Sequence, residues 1–211
     1  MTRIAVLCSG GGTNLQALID AQSAGRLAGG VLVLVAASNP EAYALTRAKR
    51  NGIPTVVVSP KDYPAAGDYD SALLEALKGC RCDLVVLAGF LRILGPRVLA
   101  AYEDRILNIH PSLIPAFCGK GMYGLHVHKA ALDYGVKVTG ATVHLVNRVV
   151  DGGRILLQKA VEVREDDTPQ TLQARVMEQA EQVLLPRAVA MYCRGEILTR
   201  RQEKEEAPCS F

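Results

Sequence analysis

The 211-residue chain has no C-x-x-C pair among its six cysteines, no apolar segment near the roughly 18–20 residues of a membrane helix, and no cluster of basic residues. Each absence removes a class of function. Cysteines at 8, 80, 82, 118, 193 and 209 without that spacing read as packing residues of a reduced, cytoplasmic setting, and no metal is indicated. The apolar stretch from Ile4 to Cys8 falls short of the about 7–15 residues of a signal-peptide core, so neither a leader nor membrane attachment is expected. A net charge of +3, with Lys and Arg scattered, leaves no nucleic-acid footprint. Apolar residues at 49% and charged ones at 21% describe an ordinary globular protein with one substantial core.

Two nucleotide-binding signatures are missing as well. No G-x-x-x-x-G-K-[ST] occurs, and Leu15 stands where a third glycine would complete a dinucleotide fingerprint. The second apolar run ends Ala36-Ala37-Ser38-Asn39, without the acidic residue that would hold a ribose. What does occur is a buried strand, Arg3 to Cys8, that turns through Ser9-Gly10-Gly11-Gly12-Thr13-Asn14 into a helix beginning near Asn14. Leu15, Leu18 and Ile19 have the spacing of its buried face. A glycine turn at a helix N-terminus offers backbone amides and a partial positive charge to an anion. A phosphate on a molecule smaller than NAD or ATP fits it, and a plain tight turn is the alternative.

The following segments alternate regularly. Val31 to Ala37 reads as a doubly buried strand, Asn39-Pro40 to Arg50 as a helix closed by a left-handed cap at Asn51-Gly52, and Thr55 to Val58 as a short strand. Lys61 to Asp68 reads as a polar loop, Tyr69 to Lys78 as a helix and Asp83 to Leu87 as a fourth strand. This β-α-β-α order predicts an α/β, doubly wound, mostly parallel twisted sheet. Phe90 to Leu94 follows the fourth strand. Its aliphatics either line a slot for a flat ring or belong to a core helix, which the spacing favours, and Arg92 either meets an acidic ligand or caps that helix.

The chemistry concentrates in Arg105 to Cys118, RILNIHPSLIPAFC. Alternation along a strand places Asn108 and His110 on one face, and Pro111 ends the strand where they emerge. Ligands of open α/β sheets bind at such carboxyl ends. An amide that can hold an oxygen beside an imidazole that can carry a proton suits attack on a carbonyl carbon, although an isolated Asn-x-His is more often a satisfied polar cap. Cys118 lies close by but has no neighbouring base in the sequence to make its thiol reactive. His126 and His128, on a helix from Leu125 to Tyr134, are i, i+2 and diverge, which argues against a zinc pair. Val136 to Val146 alternates as a strand, with Thr142 and His144 on one face, and a second strand runs from Ile155 to Val163. Asp151-Gly152-Gly153 between them is either a hairpin turn needing left-handed residues or the source of a carboxylate, Asp151, that orients His110 and favours its charged form. A long helix from Thr168 to Tyr192, irregular at Pro186, is followed by a charge-dense tail from Arg200 to Glu206, frayed or a solvated helix.

Taken in order, S-G-G-G-T-N, D-L-V-V-L-A-G-F-L-R-I-L, L-N-I-H-P-S-L-I-P, G-A-T-V-H, D-G-G and a helix with Glu181 five residues before Pro186 resemble the glycinamide ribonucleotide transformylases, the phosphoribosylglycinamide formyltransferases of purine synthesis. The resemblance runs from about Ile4 to Gly195. It implies a Rossmann-like formyltransferase fold with a C-terminal β-hairpin and long helix: one catalytic domain over 1–195, with a phosphate-binding half (1–100) and a folate and catalytic half (101–195), then a charged tail (196–211). It implies transfer of a formyl group from 10-formyltetrahydrofolate to glycinamide ribonucleotide, without metal, nucleic acid or membrane, by a monomer or homodimer. By resemblance Asn108, His110 and Asp151 are the catalytic trio, supported by His144. Gly12, Thr13, Asn14 and Glu181 meet the ribonucleotide, while Leu91, Arg92, Ile93, Leu94, Asn108, Asn147 and Val150 meet the folate.

The chain departs from the pattern in a lengthened loop at Gly119 to Tyr123 and in one extra residue before Glu181. Lys61, but no arginine, precedes Tyr69 where some members meet the folate's glutamate tail. The rivals are hydrolysis of the same folate, by deformylases that carry an N-terminal regulatory domain, and a non-catalytic module that binds a phosphate ligand. Methionyl-tRNA formyltransferases add a C-terminal barrel for their RNA. Neither extra domain is expected in a chain whose first strand starts at Arg3 and whose last residue is Phe211.

Overall fold

The alternation of apolar runs with amphipathic segments becomes, in the computed structural model, β1 (Thr2–Cys8), α1 (Thr13–Ser23), β2 (Gly30–Ala37), α2 (Tyr43–Arg50), β3 (Thr55–Val57), α3 (Ala66–Gly79) and β4 (Leu84–Leu87). There follow α4 (Pro96–Ala101), β5 (Ile106–His110), α5 (Leu125–Tyr134), β6 (Val138–Leu145), β7 (Ile155–Glu162), α6 (Pro169–Val176) and α7 (Gln182–Cys193). The structure describes residues 1–197, so the charge-dense tail from Arg200 to Glu206, read as frayed or a solvated helix, lies outside the described residues. One sheet takes the order β3-β2-β1-β4-β5-β6-β7, parallel through β5 and antiparallel from β5 to β7.

The central strands are almost wholly apolar because both faces are covered. Ile4, Val6 and Cys8 pack on one face with Leu15 and Leu18 of α1 and Leu185 and Val189 of α7. Ala5 and Leu7 point the other way, against Leu73 and Leu77 of α3 and Val98 of α4. The chain therefore leaves β1 towards one face and β4 towards the other. Loops that part at neighbouring strand ends open a crevice between them, the usual ligand position in such sheets.

Several boundaries move for local reasons. Asn39 and Pro40 form a turn in which the Asn39 side chain accepts from the Glu41 amide (3.0 Å), so α2 starts at Tyr43, later than expected. The left-handed residue after α2 is Gly52, at φ 68°, as the Asn-Gly pair predicts. α3 begins at Ala66, within the expected polar loop. The paired strands β6 and β7 bear out the C-terminal hairpin, but their connection runs over residues 146–154 and is no tight turn. Asp151 sits there at φ 54°, and a side chain at Gly153 would run into the Leu145 carbonyl.

The C-terminal helix breaks elsewhere than at Pro186. α7 passes through that proline, and the irregularity is a π turn at Met177–Glu181, where the Gln182 amide reaches back to the Met177 carbonyl. A π turn inserts locally wider helical geometry and bends the helix there, beside the cavity. Among the described residues no helix is long and apolar enough to cross a membrane.

Candidate active site

The strand ends of β1, β4, β5 and β6 surround a cavity of about 640 Å³. Its walls include Gly10 to Asn14 after β1, Leu91 to Leu94 after β4, Asn108 and His110 on β5, Asn147 to Asp151 after β6, and Met177 and Glu181 from the π turn. Every residue expected from the sequence to act in a site lines this one space.

Antiparallel pairing sets Asn108 opposite His144. His144 Nδ1 donates to the Leu145 carbonyl (2.9 Å), which leaves Nε2 to accept from the Asn108 amide nitrogen at 3.0 Å. An amide nitrogen carries two hydrogens, so this bond fixes Asn108 while leaving it a second donor. His110 Nε2 donates to the Phe117 carbonyl at 2.9 Å. The Asp151 carboxylate lies between the two imidazoles, 3.6 Å from His110 Nδ1 and 3.7 Å from His144 Nε2, and accepts from the Gly119 amide at 2.8 Å. The left-handed backbone at Asp151 is what turns it inwards from an otherwise exposed loop.

Burial pushes the Asp151 carboxyl up, but His144, His110 and the Gly119 amide together hold it below the ordinary carboxylate value. Asp151 is thus a carboxylate at neutral pH. His110 departs from expectation. Burial lowers its pKa and outweighs the opposing pull of the Phe117 carbonyl and of Asp151, so the resting imidazole is neutral with its hydrogen on Nε2. Asp151 favours the charged form of His110, but burial is the larger influence.

At the other end of the cavity Thr13 donates to the Met177 sulfur (3.3 Å), and Asn14 donates to Glu181 (2.7 Å). Burial pushes the Glu181 carboxyl up to about 7, against the lowering influence of Asn14. The unfolded chain ionises this group near 4.5, so between these values folding retains a proton that unfolding releases. Stability conferred at low pH is lost as pH rises through about 7, by an amount on the order of 3 kcal/mol. Glu181→Gln should therefore raise Tm above wild type at pH 8 and leave it nearly unchanged at pH 4, below both values. Thermal melts at the two pH values check this, and an equal shift at both would contradict it.

Phe90 to Leu94 is not a core helix. The chain is irregular there because Gly89 takes a positive φ of 70° and the Leu91 amide is held by the Ser9 hydroxyl (2.9 Å). Leu91 and Ile93, 57% and 72% exposed, stand along the cavity while Leu94 is buried. Arg92 is exposed beside them and caps no helix. Asn147 braces its own loop, accepting from the Val149 amide (2.8 Å) and donating to the Gly152 carbonyl (3.2 Å), and half-exposed Val150 follows it.

Three groups escaped the sequence reading. The Phe117 carbonyl and the Gly119 amide carry no side-chain signal. His128 was visible as a helix residue, but its burial was not. It lines the cavity with neither ring nitrogen hydrogen-bonded, and burial pushes its pKa down to about 4. His126, exposed and packed edge-to-face on Tyr123 with ring centroids 5.3 Å apart, points elsewhere, as its spacing predicts. Among the described residues no group of three or more His, Cys, Asp or Glu side chains is placed to hold a metal.

Comparison with known proteins gives one family. The profile described as formyl transferase matches residues 2–189. The trifunctional purine biosynthetic protein adenosine-3 of Drosophila melanogaster is 44% identical over 198 residues, 93% of this chain and 14% of that protein. The chloroplastic phosphoribosylglycinamide formyltransferase of Arabidopsis thaliana is 40% identical over 199 residues, 94% of this chain and 68% of that one. The crystal structure of glycinamide ribonucleotide transformylase 1 from Symbiobacterium toebii superposes with a TM-score of 0.89 at 42% identity, covering 96% of this chain and 92% of that one. The chain thus spans about one seventh of the multifunctional relative and nearly all of the solved bacterial structure.

Proposed function

The chain belongs to the formyl transferase family, and we propose that it transfers the formyl group of 10-formyltetrahydrofolate to the amine of glycinamide ribonucleotide, as a step of purine synthesis. The observation that carries this reading is the Asp151 carboxylate set between His110 and His144 at one end of a cavity whose other end is a glycine loop at a helix N-terminus. In this reading the glycine loop and α1, from the 1–100 half, hold the phosphate through Gly12, Thr13 and Asn14. Glu181 meets the ribose. Leu91 to Leu94, Asn147 and Val150 enclose the flat ring of the folate, beside the 101–195 half that carries the chemistry.

The amine attacks as the neutral base. A C–N bond forms to the formyl carbon, whose oxygen becomes an oxyanion, and the bond from that carbon to the folate N10 then breaks. The amine proton leaves through Asp151, directly or by way of water, and a proton ends on N10. Asn108 gives the oxyanion the amide hydrogen that His144 does not use. His110 gives a second hydrogen bond when its Nε2–H exchanges the Phe117 carbonyl for the new anion. Negative charge at that point favours imidazolium, so His110 can charge as the intermediate forms.

The test is formyl transfer followed by absorbance, with glycinamide ribonucleotide supplied or omitted. Turnover should require the ribonucleotide; turnover without it would make the protein a hydrolase, and none in either case a binding module. In the same assay Asn108→Ala should lower kcat by an amount equivalent to about 2.7–4 kcal/mol in the barrier, roughly a hundredfold or more, with the fold intact.

A further inference from the structure

The phosphate end of the cavity is bordered by Gly10 to Asn14, Met177 and Glu181, none of them a cation. The basic residues that do line the cavity, Arg92, Lys120 and Arg148, come from the loops after β4, β5 and β6. The glycine loop, Met177 and Glu181 thus offer a phosphate backbone amides and a buried carboxyl, with no positive side chain of their own. The nearest cation in hydrogen-bond contact with that loop is behind it.

Arg47, half-buried on α2, donates from Nε to the Gly11 carbonyl at 2.9 Å and from Nη1 to the Gln16 side chain of α1 at 3.1 Å. Its guanidinium rests over the Tyr43 ring, 5.1 Å from the centroid, which restricts the fork to one orientation. One turn earlier the Ala44 amide donates to the Gly10 carbonyl at 3.1 Å. Two successive carbonyls of the loop are thus pulled onto α2. Across a trans peptide the carbonyl and the following N–H point in opposite directions, so fixing those oxygens backwards turns the Gly11 and Gly12 amides away from α2. These residues line the cavity on that side.

Resting on the ribonucleotide reading above, we propose that Arg47 is a positioning residue for the substrate phosphate. It holds the loop in the conformation that aims its amides at the phosphate, and it adds positive charge from behind the loop. The direct contacts to the phosphate remain those of backbone amides and α1.

The experiment compares steady-state kinetics of wild type with Arg47→Ala and Arg47→Lys, and with Lys49→Ala, which removes an exposed charge from the same helix without touching the loop or Tyr43. Inorganic phosphate serves as a competing probe. In Arg47→Ala the KM for glycinamide ribonucleotide should rise about tenfold or more, and inhibition by inorganic phosphate should weaken by a similar factor. The KM for 10-formyltetrahydrofolate and kcat at saturating ribonucleotide should stay within about threefold. Arg47→Lys should lie between, and Lys49→Ala should match wild type. A ribonucleotide KM within twofold of wild type in Arg47→Ala, or a parallel loss in folate KM and kcat, overturns the proposal. If Arg47→Ala does not fold, Arg47→Lys decides by the same measure: a raised ribonucleotide KM supports the role and an unchanged one removes it. Wild-type protein that neither uses the ribonucleotide nor is inhibited by inorganic phosphate would remove the ribonucleotide reading itself.

Discussion

Asp151→Asn should lower turnover by about 10²–10⁴, the usual range for loss of a positioned proton acceptor, while affinity for glycinamide ribonucleotide changes little. The replacement is nearly isosteric. Its remaining carbonyl oxygen can still accept from the Gly119 amide, so the loop keeps its anchor. What disappears is the negative charge between His110 and His144, and with it the group that takes the amine proton in the proposed mechanism. Calorimetric ribonucleotide binding measured beside kcat separates the two consequences. Losses of equal size in both would make Asp151 a structural residue of the 146–154 connection, not a participant in proton transfer.

The second large effect concerns the other end of the cavity. Gly12→Val should abolish measurable ribonucleotide binding and leave a folate analogue bound. Gly12 has φ 71°, a region that costs other residues roughly 1–2 kcal/mol and β-branched ones more. A Cβ there would also meet Ala44 Cα and Cβ at 2.8 Å, backbone and a methyl group that cannot swing aside. The loop must move off α2, and its amides turn with it. Calorimetry with each ligand reads the outcome, and normal ribonucleotide affinity would refute a phosphate role for this loop.

Much of this architecture follows from local pattern. The core strands are apolar runs because helices cover both sheet faces, and Asn108 and His110 share a direction because strand side chains alternate. Asp151 was named from the Asp-Gly-Gly motif and the family resemblance, while the turn read as the alternative is left-handed at Asp151 itself and not at its glycines. The misreadings have a common cause. Phe90 to Leu94 has helical spacing, yet Gly89 and a hydrogen bond from Leu91 to Ser9, far away in the chain, hold it open. Likewise a proline inside a helix is a local signal for a break, but the irregularity lies at Met177–Glu181 and α7 runs through Pro186. His110 was expected to be charged because a carboxylate in the chain is visible, whereas burial, which reverses the balance, is not.

The cross-strand pairing of Asn108 with His144 makes reactivity depend on strand register. Sliding β6 by a single residue along β5 would present Val143 or Leu145 to the amide and turn the imidazole to the opposite face of the sheet. An insertion or deletion between residues 138 and 144 could then leave a well-hydrogen-bonded sheet that is chemically silent. Selection on this hairpin would act on its length as strictly as on its side chains.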